Sequence, residues 1–180
     1  MIKNKIQYLF LLSLSAVFLS SCTPMVNYRW DIMLQEPKPS NDLSYSDEYI
    51  DVTFAIGETQ IGFDIQNKTD NGIKINWDEL AFISPNGKSE RVIHNGVRLI
   101  ERNSPQAPTI IPPKSRISDI LIPSDNIAFT GDYWHELELF YGHDKSIYVG
   151  KRFKIYFPLE IKSERKEYNF SFQIKGAVAK

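Results

Sequence analysis

Apolar residues fall along this chain in two regimes. From Ile6 to Leu19 they are nearly continuous, broken only by Gln7, Ser13 and Ser15. Beyond residue 49 they alternate with polar residues. Ile50, Val52, Phe54 and Ile56 form one such row, and Ile61, Phe63 and Ile65 another. Ile73, Ile75 and Trp77 follow, then Leu80 and Phe82, Val92 or Ile93, and Ile117 to Ile122. The pattern resumes at Leu137, Leu139 and Tyr141, at Phe153, Ile155 and Phe157, and at Tyr168, Phe170, Phe172 and Ile174. Period two predicts strands with one packed face and one wet face, as in antiparallel sheets.

The connections between these rows are turn-forming. Residues 67–72 (NKTDNG) are polar, Pro85-Asn86-Gly87-Lys88 is an Asn-Gly hairpin signal, and residues 142–146 and 163–167 are polar turns. About eight short strands predict an all-β domain, a two-layer antiparallel β-sandwich of immunoglobulin-like type, with a closed barrel as the rival. The stretch Ile100–Lys114 carries four prolines and cannot be a central strand, so it is expected to cross between layers. Residues 26–34 (VNYRWDIML) fit either an edge strand or a helix. Burial of Tyr28 and Trp30 favours docking on the domain. Residues 35–49 read as a linker. If all of 23–49 were flexible, its root-mean-square reach would be roughly 30 Å.

The first apolar run is too short to span a bilayer, which takes about 20 residues. Lys3 and Lys5 precede it and small residues follow, the layout of a cleaved export signal. Its end, Leu19-Ser20-Ser21-Cys22, resembles the lipobox of bacterial lipoproteins. That resemblance implies cleavage before Cys22, a diacylglycerol on its thiol and acylation of the new amine. The chemistry needs a thiolate nucleophile, and Cys22 is the chain's one cysteine. Two or three acyl chains hold a protein firmly on a membrane where one does not. Thr23 stands where the family's inner-membrane retention signal, an Asp, would be, which implies the outer membrane of a two-membrane envelope. The expected organisation is a signal peptide over 1–21, a lipidated N-terminus and linker over 22–49, and the sandwich over 50–180.

Composition narrows the function classes. Of 180 residues, 42% are hydrophobic, which excludes a disordered chain. Loss of Lys3 and Lys5 with the signal leaves 19 basic and 22 acidic side chains, a formal charge of −3. Nucleic acid is therefore not an expected partner. One cysteine excludes a disulfide framework and a Cys-rich zinc site.

Candidate chemistry is sparse. His94, His135 and His143 match no metal-binding spacing and read as solvated or hydrogen-bonded imidazoles. No metal or cofactor is expected. No G-x-S-x-G motif or glycine-rich phosphate loop occurs. Glu136 and Glu138 would share a strand face about 7 Å apart, within the range of glycosidase carboxylates, although a wet strand face produces the same pattern. Lys151, Arg152 and Lys154 with Tyr156 make a small basic-aromatic strand face that reads as a plain wet face, with lipid headgroups or an acidic partner as the alternative. Two turn clusters stand out as partner-binding candidates. One is the stiff crossing with Pro105 and Pro108, and the other is Tyr133-Trp134 after the Thr130-Gly131-Asp132 turn.

The stretch Ile61–Ile75, IGFDIQNKTDNGIKI, resembles the β-sandwich domains of late-embryogenesis-abundant type-2 proteins, in which an alternating strand leads through an asparagine-bearing turn to an apolar return strand. Ile111-Pro112-Pro113-Lys114 is similar to their proline-rich entry to a mid-domain strand. A lipobox followed by one such domain also resembles the small lipoproteins of Gram-negative, Bacteroides-like bacteria. Neither likeness carries a catalytic motif. The expected function is a non-enzymatic envelope module, held on the bilayer through Cys22 and binding an envelope protein or glycan. The alternative is a hydrolase of envelope polysaccharide using Glu136 and Glu138.

Overall fold

A computed structural model describes residues 28–142 and 144–179. Cys22 with the rest of the signal, and His143, lie outside them. The described chain is all-β and antiparallel, with short 3-10 turns and no α-helix.

Its strands are β1 (Tyr28–Glu36), β2 (Ser44–Ser46), β3 (Ile50–Ile56), β4 (Ile61–Asn67), β5 (Ile73–Ile75), β6 (Ala81–Ile83) and β7 (Ser89–Ile93). After these come β8 (Thr109–Ile111), β9 (Arg116–Pro123), β10 (Ile127–Phe129), β11 (Trp134–Glu136), β12 (Arg152–Ile161) and β13 (Glu164–Ala179). Among the described residues eleven strands join in the order β1-β13-β12-β6-β7-β9-β4-β3-β2, with β5 and β8 branching from β12. The sheet curls until it is nearly barrel-shaped. Period two is the cause: Val52 and Phe54, Phe63 and Ile65, Phe153 to Phe157 and Phe170 to Ile174 all turn one way, into a single apolar core.

β12 and β13 are the spine. Their turn is Lys162-Ser163, two residues at φ +54° and +65°, which matches strand twist as a primed turn does. The polar run Glu164–Glu167, expected as turn, is therefore strand. Its charged side chains face water while Tyr168 and Phe170 continue the ladder inward. Pro158 is accommodated because β12 changes neighbour there, from β6 at Lys154–Tyr156 to β5 at Leu159–Ile161, so no partner needs its missing N–H.

The N-terminal segment is a strand, not a helix. β1 pairs with β13 from Tyr28↔Ala179 to Glu36↔Ser171 and buries Ile32 and Leu34. The expected linker 35–49 is instead built into the domain. Leu34 and Ser40 exchange backbone hydrogen bonds at 3.0 Å, Phe54 N–H donates to the Leu43 carbonyl, and β2 pairs with β3. Above that closure the seam between β1 and β3 stays open as a cleft of about 990 Å³ beside Trp30, Ile32 and Ile56.

Two further expectations change. Leu137–Tyr141 forms no strand: β11 ends at Glu136, and Leu139 and Phe140 enter the core from irregular backbone. The proline-rich crossing contains a three-residue edge strand, β8, paired with β5.

Candidate functional site

β7 and β9 meet only at Val92↔Pro123 and Ile93↔Ile122. Alternation sends Val92 and Leu121 into the main core and leaves Ile93, Ile120 and Ile122 on the outer wall. Two excursions cover that outer apolar face. One is the loop after β7, with Val97 and Leu99. The other is the hairpin β10–β11, with Ile127 and Trp134. The result is a small second core on the outer face of the curled sheet.

The two partner-binding candidates meet here. Arg102, where the proline-rich stretch begins, holds its guanidinium 4.6 Å from the centre of the Trp134 ring. Trp134 is half-buried, and Phe129 lies 5.2 Å from it. Tyr133 at the hairpin tip is 64% exposed and Phe129 is 53% exposed. Pro105 and Pro108 are both exposed, and the loop between them is pinned from below. Gln106 is 7% exposed; its Nε2 donates to the Val92 carbonyl at 2.8 Å, and its Oε1 accepts from His94 N–H at 3.2 Å. Asp78 accepts from Gln106 N–H, and Arg91 donates to Asp78 and to the carbonyls of Asn103 and Ser104. The loop is thus fixed before any partner arrives.

Sequence reasoning missed Gln106, Arg102 and Phe129. A glutamine between prolines carries no periodic signal, and its partners lie 12 to 28 residues away.

His94 follows β7 and turns inward beside Trp77, with Nδ1 3.3 Å from Asp119 Oδ2. Asp119 Oδ1 also accepts from the N–H groups of Asn95 and Ile120 at 2.9 and 2.7 Å. This cluster plugs the wall where β7 and β9 separate. His135 lies on β11 with its ring 5.6 Å from Tyr133.

The carboxylates Glu136 and Glu138 go to different tasks. Glu136 accepts a hydrogen bond from Thr59 Oγ1 at 2.7 Å, which fastens the hairpin base to the β3–β4 turn. Glu138 pairs with the buried Lys145, whose ammonium also donates to the Phe140 carbonyl at 3.0 Å. Among the described residues no cluster of three or more His, Cys, Asp and Glu side chains is placed to hold a metal ion, and no helix is long and apolar enough to cross a membrane.

Comparison of the chain with protein-family models, with curated proteins and with solved structures returns no match.

Proposed function

We propose that the mature chain is an envelope lipoprotein, cut before Cys22, acylated there and held on the outer membrane, whose domain works as a non-enzymatic binding or assembly module. We read that domain as a two-layer sandwich of immunoglobulin-like type, its larger layer curled toward closure. The likenesses to lipobox signals and to small Gram-negative lipoproteins support the anchor.

One observation carries the binding role. Tyr133 and Phe129 stand exposed on a hairpin tied to the scaffold by Glu136 at its base and by Trp134 near its tip, beside a pinned proline loop. Aromatic side chains on a preorganised support lose little entropy on binding and bury a large area, as interface anchors must. The partner class is an envelope protein or glycan.

The test is photo-crosslinking in intact cells with a benzophenone amino acid at Tyr133 or Pro105, and at Lys162 as control. A discrete adduct from Tyr133 or Pro105, absent from Lys162, is expected. Equal labelling from all three positions, or from none, would refute the site. Alkyne fatty-acid labelling tests the anchor separately: label should be lost in Cys22→Ala, and label that persists refutes lipidation at this residue.

A further inference from the structure

We propose that the end of the domain where β1 begins rests on the bilayer carrying the anchor, with Tyr141, Ile147, Val149 and Val178 as its contact side chains. The proposal rests on lipidation at Cys22 and adds an orientation to it.

The tether is short. Because β1 starts at Tyr28, only residues 23–27 separate the acylated cysteine from a paired strand. Six Cα–Cα steps span about 20 Å at full extension. The point where β1 begins must therefore lie close to the membrane, whatever the domain does beyond it.

Four of the eight large exposed apolar side chains among the described residues belong to that end: Tyr141, Ile147, Val149 and Val178. β12 starts at Arg152, opposite Gln173, so the β1–β13 ribbon projects past it. Residues 140–142 and 144–151 fill the space beside the ribbon. Trp30 packs edge-on to Phe140 at 4.9 Å and to Tyr148 at 6.1 Å, and Gly150 N–H donates to the Ile174 carbonyl at 2.8 Å. This packing leaves Tyr141 71% and Val178 62% exposed, with Ile147 and Val149 about half exposed beside them. Charged neighbours of both signs surround them, with Arg29, Lys151, Arg152 and Lys175 among Asp31, Glu58, Glu138 and Asp144. Apolar and aromatic side chains interleaved with cations suit an interface of acyl chains and anionic headgroups.

The opposite end has a different character. Its turns carry Lys68 paired with Asp51, and Lys114 paired with Asp70, at 3.2 and 3.1 Å, with Lys162 and Glu164 at the β12–β13 turn. Ion pairs dominate that end, with the exposed Ile110 of β8 among them.

The experiment uses the full lipoprotein in vesicles of phosphatidylethanolamine and phosphatidylglycerol, with a bromine-quenchable fluorophore on single introduced cysteines. The sites are Tyr141→Cys and Val149→Cys at one end, and Asp70→Cys and Lys162→Cys at the other. Brominated lipid should quench the first pair at least about twofold more than the second. A label at Val178→Cys should lose its quenching when Tyr141 and Val149 are both changed to Ser. Equal quenching at the two ends, quenching at neither, or quenching that survives the double change overturns the orientation. Mass spectrometry of the same sample separates the two claims, since a Cys22 without acyl mass overturns the anchor and the orientation together.

Discussion

His94 lies flat on Trp77, with ring centroids 4.1 Å apart and planes within 5° of parallel. Trp77 Nε1 donates to Thr109 Oγ1 at 2.9 Å, and His94 Nδ1 meets Asp119. Four separate stretches of chain are thus held where β7 leaves β9. His94→Ala removes both the stack and the ring partner of Asp119, and should destabilise the domain by roughly 1–2 kcal/mol in urea titration. His94→Phe keeps the stack and should cost less. Equal losses for the two variants would show that stacking contributes nothing.

Gln106 is the fastener of the proline loop. Gln106→Ala leaves the Val92 carbonyl and His94 N–H without a side-chain partner in a buried setting, a loss of about 2 kcal/mol. Hydrogen exchange should rise at His94 and through the loop 103–108 while β12 and β13 stay protected. Uniform acceleration would mean that the loop is not an independent unit.

Tyr133 and Trp134 are neighbours with opposite roles. Tyr133→Ala should change stability by less than about 0.5 kcal/mol, because its ring is mostly in water. Trp134→Ala uncovers Ile93, Ile122 and Ile127 and should cost about 2–3 kcal/mol. If Tyr133 abolishes partner crosslinking without altering the denaturation midpoint, it is a contact residue. Parallel losses in both readings would make it structural.

The Tyr168 hydroxyl donates to Asp47 Oδ2 at 2.8 Å, joining β13 to the turn before β3. Burial first, and then the Asp47 carboxylate, push the phenol well above its ordinary range. A folded-state value above the unfolded one, near 10, contributes stability that is complete below about pH 10 and is lost as pH rises beyond it. Alkaline unfolding monitored between about pH 9 and 11 should therefore show stability falling at the upper end. Tyr168→Phe should flatten that fall, with a loss of about 1–2 kcal/mol at neutral pH. An unchanged alkaline slope in Tyr168→Phe would assign the fall to other groups.

Much of the fold was legible because one face of each strand is buried. Ile50–Ile56, Ile61–Ile65, Phe153–Phe157 and Tyr168–Ile174 are found where alternation places them. The pattern misled at Leu137–Tyr141, where Leu139 and Phe140 reach the core through irregular backbone, and at 35–49, where polar residues are held by backbone pairing with Leu34 and β3. At the site, Tyr133, Trp134, Pro105 and Pro108 were visible as unusual residue types. Gln106 and Arg102 were not, since their importance comes from Val92, Asp78 and Trp134, which are distant in the chain.

The sequence by itself determined the all-β antiparallel class, the main core-facing rows, the Asn-Gly hairpin and the expectation of a lipid anchor at Cys22, but counted about eight strands where thirteen form among the described residues. Each depends on residue chemistry and on spacing within a few positions. Only the tertiary structure decided how far the sheet curls, that β1 closes against β13, and that the loop after β7 and the β10–β11 hairpin share one outer core. It alone placed Tyr141, Ile147, Val149 and Val178 around the start of β1. Those outcomes depend on which segments pair, from Val92 with Pro123 to Tyr28 with Ala179, and a period of two is blind to partner choice.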